Sequence, residues 1–432
     1  MEFKTSGTFD SSSRVTHPDT GESISLEGKA GSGTVLDGGM DGLLTGDSSR
    51  SNFDDAIIYD LTLASRNALR FTGFTSFDLG LGDDVLDLTA RPGSEAYSSL
   101  RPVVVDAGPG DDVVWTNASH TELLGDGERL ETGVAGGADQ FQGGDGGDSV
   151  IGDATRLDSR SRGGSDWLSG GRGDDSIYGD GIWMNVAAMG GDDLIRGQQG
   201  NDTLTGDATW LRLGVGGADR LYGGGGNDQI LGDSRWLQSE GVGGADRIHG
   251  GRGDDTVIGD ANWVQDTARA GNDRLNGGDG NDLLFGDARY LSGRSVAGDD
   301  RLKAGAGDDI LYGDSEFIRD MPRLGNDTLR GGPGSDHLYG DYREQAGEIT
   351  LDGGDDLFVF APGDGADTIN DFGFGDDRID LTAWSFDDVD DFTITDNSAP
   401  VVHVMLSAED SVTVLNMEGT AITLTSNDFA LA

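Results

Sequence analysis

The sequence contains no cysteine, which excludes disulfides, a thiol nucleophile and thiolate metal sites. It also lacks any apolar run approaching the ~18 residues of a membrane span, so we expect no membrane insertion. Residues 1–10 (MEFKTSGTFD) contain no apolar segment of the kind found in a secretory signal peptide. If the protein is exported, we expect another route to carry it.

Basic residues are scarce, since 30 Lys and Arg stand against 79 Asp and Glu and the formal net charge is −49. Such self-repulsion opposes a compact fold unless cations become part of the structure. The acidic excess also argues against nucleic acid and anionic membranes as partners. Large apolar residues are few for an ordinary globular core, because 75 residues are Gly. A repeat architecture with a thin core is therefore expected.

Enzyme signatures are missing as well. The sequence has no H-E-x-x-H and no G-x-S-x-G motif, and its five histidines are scattered without ligand spacing. We therefore predict that the protein is not an enzyme.

What the sequence does have is an internal repeat. An Asp, here called the anchor Asp, recurs every 27 residues, with one interval of 26. Nine residues after each anchor comes a short-turn Asp, and five residues later a third Asp in a Gly-Asp pair. The anchors are Asp139, Asp166, Asp193, Asp219, Asp246, Asp273, Asp300 and Asp327. The short-turn residues are Asp148, Asp175, Asp202, Asp228, Asp255, Asp282, Asp309 and Asp336. The Gly-Asp residues are Asp153, Asp180, Asp207, Asp233, Asp260, Asp287, Asp314 and Asp341.

The anchor and short-turn Asp share a local pattern. Each has a Gly two positions before it and an apolar residue two positions after it, as in the nonapeptide G-G-x-G-x-D-x-U-x. Gly permits the curvature that turns carbonyls inward, and Asp adds a carboxylate, so stacked turns offer the oxygen ligands that Ca²⁺ prefers. We predict multiple bound calcium ions. The predicted ligands are these sixteen Asp and the Gly before each short-turn Asp, namely Gly146, Gly173, Gly200, Gly226, Gly253, Gly280, Gly307 and Gly334.

The spacing predicts an all-β fold, a parallel β-roll or β-helix solenoid with coils of about 27 residues and β caps at both ends. In one coil, short strands are predicted at 220–222 and 229–231, with a longer connection back. A three-sided coil, with a third strand around Trp236, is the competing geometry. For the Gly-Asp residues, closing a turn by side-chain-to-backbone hydrogen bonds and ligating calcium are equally favoured.

An aromatic residue recurs three positions after the Gly-Asp residue, each time followed by an apolar residue. We predict that this aromatic ladder lies in the interior, because buried rings stabilise a thin core. The alternative is an exposed stripe that binds a polysaccharide or another copy of the protein. The ladder comprises Trp183, Trp210, Trp236, Trp263, Tyr290 and Phe317.

The repeat weakens toward the N-terminus. Asp55, Asp84 and Asp112 keep the phase, but residues 116–121 (TNASHT) lack the short-turn Asp. The sequence therefore predicts an N-terminal cap over 1–32, degenerate calcium-poor coils over 33–132, the calcium-binding roll over 133–356 and a C-terminal β cap over 357–432.

These motifs resemble the RTX family, the haemolysin-type calcium-binding repeat proteins. Residues 358–381 are similar to the segment after the repeats of secreted RTX metalloproteases, and the tail 428–432 (DFALA) is similar to the uncleaved signal of type I secretion substrates. The resemblance implies export through a type I secretion apparatus, an extracellular or cell-surface location, and folding in external calcium. Common rolls of this family have two nonapeptides per coil, so the additional segment leaves calcium binding at the long-side turns open.

The sequence thus predicts a secreted calcium-binding β-roll that acts as a surface, matrix or adhesive component. The alternative is a carbohydrate-binding module or polysaccharide-modifying enzyme that uses the long side of the roll, as a resemblance to the repeat modules of alginate epimerases would allow.

Overall fold

A computed structural model of the chain describes residues 70–88, 103–116, 119–346, 351, 353–373, 375–416 and 419–432, and before residue 70 only the strands named below. The chain forms two compact units, Met1–Leu204 and Thr205–Ala432. Among the described residues, no helix has the length and apolar character needed to cross a membrane. The predicted cap at residues 1–32 lies mostly outside the described residues, and the predicted boundaries after residues 132 and 356 stay predictions.

Each repeat coil of the second unit, up to Ala346, has three strands. A side 1 strand follows the anchor Asp, a side 2 strand follows the short-turn Asp, and a side 3 strand follows the Gly-Asp residue. Equivalent strands of neighbouring repeat coils pair in parallel, as Ile248 does with Leu275 at a 27-residue offset. The predicted all-β parallel roll is therefore confirmed. The two-sided coil was the wrong choice between the two geometries, because the long connection itself forms a strand.

The strands of the second unit continue from the repeats into the C-terminal segment. Side 1 comprises Arg220–Gly225, Arg247–Arg252, Arg274–Asp279, Arg301–Ala306, Thr328–Arg330, Leu357–Val359, Arg378–Asp380 and Phe429–Ala430. Side 2 comprises Gln229–Leu231, Thr256–Ile258, Leu283–Phe285, Ile310–Tyr312, His337–Tyr339, Ala366–Ile369 and Ser411–Leu415. Side 3 comprises Ala208–Arg212, Ser234–Gln238, Ala261–Val264, Ala288–Gly293, Ser315–Asp320 and Tyr342–Ala346.

The first unit repeats the same three sides. Side 1 comprises Ala56–Ile58, Val85–Asp87, Val113–Trp115, Gln140–Gln142, Trp167–Arg172 and Leu194–Gln199. Side 2 comprises Val35–Asp47, Arg70–Gly80, Val103–Asp106, Thr121–Leu124, Ser149–Ile151, Ser176–Tyr178 and the boundary strand Thr203–Thr205, and side 3 comprises Gly127–Leu130, Ala154–Leu157 and Gly181–Met184. Short strands at the N-terminal end are Thr8–Phe9, Arg14–Thr16, Ser23–Ser25 and Gly28–Lys29.

The core of each coil is thin. Sides 1 and 2 each direct one central apolar residue inward, as Ile248 and Val257 show, and both are buried. On side 3 the inward residues stand three positions apart, as in Ala261 and Val264, so two consecutive residues between them face outward. This break in the usual alternation decides where the aromatic ladder lies.

The C-terminal segment closes the roll with an antiparallel sheet. Ser411–Leu415 continues side 2 in parallel with Ala366–Ile369, and Val401–Met405 then pairs with it in the antiparallel sense. Thr393–Thr395 adds an outer strand to this hairpin. Short 3-10 helices lie at Thr382–Trp384, Val389–Asp391 and Ser426–Asp428.

Candidate calcium sites

The short-turn Asp form a hydrogen-bonded row. Asp255, which is only 1% exposed, accepts a hydrogen bond on Oδ1 from the Asp228 backbone N–H at 2.8 Å. Its own N–H donates to Oδ1 of Asp282 in the next coil at 2.9 Å. Oδ2 of Asp255 is buried and receives no donor. In Asp255, one oxygen therefore accepts from the neighbouring coil and the other is available for a further ligand.

That second oxygen points into the turn. A Cβ atom on Gly250 would collide with Asp255 Oδ2 and with the carbonyl oxygen of Gly277 in the next coil. Gly253 has φ +112°, a conformation that favours glycine, and a Cβ there would collide with the carbonyl oxygen of Gly226. Carboxylate and carbonyl oxygens thus crowd into a space that only glycine leaves open.

Burial makes the charged form of these carboxylates unfavourable unless a cation lies nearby. Desolvation raises the pKa of Asp255 to about 7, and the neighbouring charges of Asp228, Asp282 and Asp254 add to the effect. Desolvation likewise raises the pKa of Asp175 to about 7 and that of Asp282 to about 6. A cation in the turn would remove this penalty by pairing with the charged form.

The anchor Asp form a second row with the same hydrogen-bond pattern. Asp273 accepts from the Asp246 N–H at 2.8 Å and donates to Oδ1 of Asp300 at 2.7 Å. Its Oδ2 is buried without a donor and lies against Gly259. The structure thus places the predicted anchor and short-turn residues in two separate rows, and the predicted turn glycines line the short-turn row only.

The Gly-Asp residues close the long connection, here called the arm, at its base. Asp260 is fully buried, and its Oδ1 accepts a hydrogen bond from the Gly271 N–H at 2.6 Å. Of the two equally favoured roles predicted for these residues, the side-chain-to-backbone hydrogen bond is therefore observed. The same bond joins Asp153 to Gly164, Asp180 to Gly191, Asp207 to Gly217, Asp233 to Gly244, Asp287 to Gly298, Asp314 to Gly325 and Asp341 to Gly354.

Carboxylates alone do not complete a site. Among the described residues, no three acidic or histidine side chains form a group that could hold a metal. Ca²⁺ takes six to eight oxygens, so carbonyl groups would have to supply about half of them. The glycine-rich turns bring such carbonyls together, and the donor set is therefore suited to calcium rather than to a metal that prefers nitrogen or sulfur ligands.

The aromatic ladder is not in the interior, and that prediction was wrong. Trp183 is 47% exposed and the other five rings are half-buried, while the apolar residue after each ring is buried. The rings stack along the second unit, with centroids 5.1 Å apart for Trp210 and Trp236 and 3.9 Å apart for Trp263 and Tyr290. The side 3 strand turns its ring outward and buries the next residue instead.

A second buried hydrophobic cluster is present, and residues outside the aromatic ladder form it. Leu231, Ile258, Phe285 and Tyr312 form a buried cluster, and Phe285 stacks on Tyr312 with ring centroids 5.1 Å apart. Sequence reasoning missed this row. The signal was available, because each of these residues directly precedes a Gly-Asp pair.

Three acidic residues of the C-terminal segment were also missed. Asp356, Asp367 and Asp377 extend the two rows by accepting from the Asp327, Asp336 and Asp356 N–H groups at 2.8, 3.0 and 3.1 Å. Their offsets of 29, 31 and 21 residues break the period. Each still has a Gly two positions before it and an apolar residue two positions after it, which could have identified them.

A comparison with family models finds the RTX calcium-binding nonapeptide repeat in seven segments of the chain. No curated protein matches it. The matched segments are residues 161–181, 185–208, 213–234, 240–263, 267–288, 296–316 and 324–341. Every matched segment falls where the two Asp rows stack, and such repeats indicate multiple Ca²⁺ ions as the cofactor. Across residues 161–341, this chain is a β-roll of RTX calcium-binding repeats.

Proposed function

We propose that the protein is secreted, folds when Ca²⁺ binds outside the cell, and acts as an extracellular surface, matrix or adhesive component with no catalytic chemistry of its own. The observation that carries the proposal is the row of buried Oδ2 atoms without donors, at residues such as Asp255, Asp282 and Asp309. A chain of net charge −49 that buries these carboxylates needs counter-ions to stay compact. The sixteen predicted Asp and the eight turn glycines are the proposed ligands.

The C-terminal tail supports an export route in the unfolded state. Phe429–Ala430 pairs with Arg378–Asp380 in the side 1 sheet, and Phe429 is buried. A secretion signal in this tail would be accessible only before the roll forms. Low calcium inside the cell and high calcium outside would then separate recognition of the signal from folding.

The test is the calcium dependence of secondary structure. At neutral pH with chelator, far-ultraviolet circular dichroism should show coil, because the native state alone binds the ions tightly. Titration with Ca²⁺ should restore the β signal cooperatively. Mg²⁺ serves as the control and should not replace Ca²⁺, since it requires a smaller octahedral site. A cooperative β signal that persists in chelator at neutral pH would contradict the proposal.

A second candidate function is carbohydrate binding or self-association through the aromatic ladder. The half-buried stack of Trp210, Trp236 and Trp263 favours it, because stacked flat rings offer a surface for sugar rings or for another apolar face. Tryptophan fluorescence of the calcium-loaded protein should be quenched by iodide and protected by an added oligosaccharide. Quenching that no oligosaccharide or increase in protein concentration reduces would count against this function.

A further inference from the structure

We propose that the base of each arm is a second calcium site, separate from the short-turn sites, in which a Gly-Asp carboxylate and the next anchor carboxylate hold one ion between them. In one coil the arm begins after Asp260 and ends at Asp273, so the ion would join the two ends of the arm. This inference rests on the proposed calcium-dependent folding and extends it to residues that the nonapeptide pattern does not include.

Each of the two carboxylates has one oxygen engaged and one free of donors. Oδ1 of Asp260 accepts from the Gly271 N–H, and Oδ1 of Asp273 accepts from the Asp246 N–H. Oδ2 of Asp260 and Oδ2 of Asp273 are both buried and receive no hydrogen bond. A hydrogen-bonding role explains the first oxygen of each carboxylate and leaves the second unexplained.

The free oxygen of Asp273 is directed into a space lined by further oxygens, and the carboxylate of Asp260 lies close to that of Asp233 in the preceding coil. A Cβ atom on Gly259 would collide with Asp273 Oδ2 and with the carbonyl oxygen of Gly286, and one on Gly243 would collide with Asp260 Oδ1 and meet Asp233 Oδ2. Carboxylates packed this closely, fully buried and without a basic side chain among their hydrogen-bond partners, need a cation between them. Two carboxylates with carbonyl groups form an oxygen set that Ca²⁺ accepts.

The arrangement recurs in successive coils of the second unit. In each, the Gly-Asp residue accepts from a Gly of the arm, the anchor accepts from the preceding coil, and both Oδ2 atoms are buried without donors. The further pairs are Asp287 with Asp300, Asp314 with Asp327, and Asp341 with Asp356.

The consequence concerns the aromatic ladder, which lies on the arms. Closing an arm at its base restricts the conformations of the side 3 strand, and Trp236 and Trp263 stack only while their strands stay in register. The arm-base ions would therefore hold the outward rings in line.

The test uses the double variant Asp260→Asn/Asp287→Asn. Asn retains the oxygen that accepts from Gly271 and Gly298, so a role limited to hydrogen bonding predicts little change. The matched control is Asp254→Asn/Asp308→Asn, which makes the same charge change at exposed residues. Calcium stoichiometry is measured by equilibrium dialysis, and the tryptophan stack by near-ultraviolet circular dichroism.

We expect the arm-base variant to bind about one ion fewer per substituted coil and to lose part of the tryptophan signal, while the control matches the parent. An unchanged ion count in the arm-base variant would overturn the inference and leave calcium-dependent folding intact, whereas a parent that binds no calcium would overturn both. If the double variant does not fold in calcium, Asp341→Asn in the last coil of the array is measured in its place, with loss of an ion supporting the site and an unchanged count opposing it.

Discussion

Aspartate suits the anchor and short-turn rows because one of its carboxylate oxygens can accept a backbone hydrogen bond while the other faces the turn. In Asp255, Oδ1 accepts from the neighbouring coil and Oδ2 faces the turn. Glu would place its carboxylate a methylene group farther from the backbone, and Asn would supply only one oxygen. The strict use of Asp at these positions therefore follows from a backbone hydrogen bond and a metal ligand sharing one short side chain.

Replacing Asp255 by Ala should lower both calcium binding and stability. The change leaves the buried Asp228 N–H without its acceptor, at a cost of about 1–3 kcal/mol, and removes a ligand oxygen. The control is Asp254→Asn, because the adjacent Asp254 is exposed and Asn keeps the oxygen that accepts from the Asn281 N–H at 2.9 Å, and it should stay within about 0.5 kcal/mol of the parent. Urea unfolding in saturating calcium measures both. Equal losses in the two variants would contradict the assignment of Asp255 as a ligand.

At the residue scale, sequence spacing alone found both Asp rows because the repeat coils are 27 residues long with a single exception of 26. It missed Asp356, Asp367 and Asp377 because the C-terminal loops change length while the local Gly-x-Asp-x-apolar pattern persists. Tertiary stacking, not sequence distance, keeps these carboxylates in phase. A search for the local pattern without a fixed period would have recovered them.

At the scale of single strands, side 3 is the element that the sequence described least well. The pairing of each ring with a following apolar residue predicted that one of the two lies inside, and this is so, but the ring was assigned to the wrong side. A strand segment of regular alternation gives no reason to prefer either residue. The two outward residues between Ser234 and Leu237 fix the choice, and only the packing of the coil reveals them.

Leu237→Ala should therefore destabilise the calcium-loaded protein more than Trp236→Ala does. Leu237 has no exposed surface, so its truncation should cost about 3 kcal/mol. Trp236 is half-buried and makes two ring stacks, so its truncation should cost roughly 1–3 kcal/mol, mainly through those stacks. Parallel urea titrations of the two variants compare them. A larger loss for Trp236→Ala would mean that the ladder carries the side 3 core.

At the scale of the whole molecule, charge determines when the chain can fold. Desolvation raises the pKa of Asp112 to about 9 and that of Asp336 to about 7, and it raises the pKa of Asp260 well above its usual range. A carboxyl group whose pKa is higher in the folded state than in the unfolded chain takes up a proton on folding. Its protonated form stabilises the calcium-free fold, and that contribution is lost as the pH rises from about 4 through the folded-state pKa.

In chelator, lowering the pH from neutral to about 5 should therefore increase the β signal, because protons neutralise carboxylates such as Asp336 and Asp282, whose pKa values are raised to about 7 and about 6. Calcium affinity should change in the opposite direction and fall as the pH drops, since proton and ion compete for the same oxygens. Circular dichroism across this range, with and without calcium, measures both trends. A calcium-free β signal that decreases toward pH 5 would show that the carboxylates do not limit folding.

The hydrogen bonds along both Asp rows all run one way, from the N–H of one coil to the carboxylate of the following coil. Both rows of the second unit therefore have a polarity. At the C-terminal end the last donors, such as the Asp336 N–H, need the carboxylate of Asp367. Removing the C-terminal segment would therefore leave backbone donors of the last repeat coil, such as the Asp336 N–H, without their acceptors.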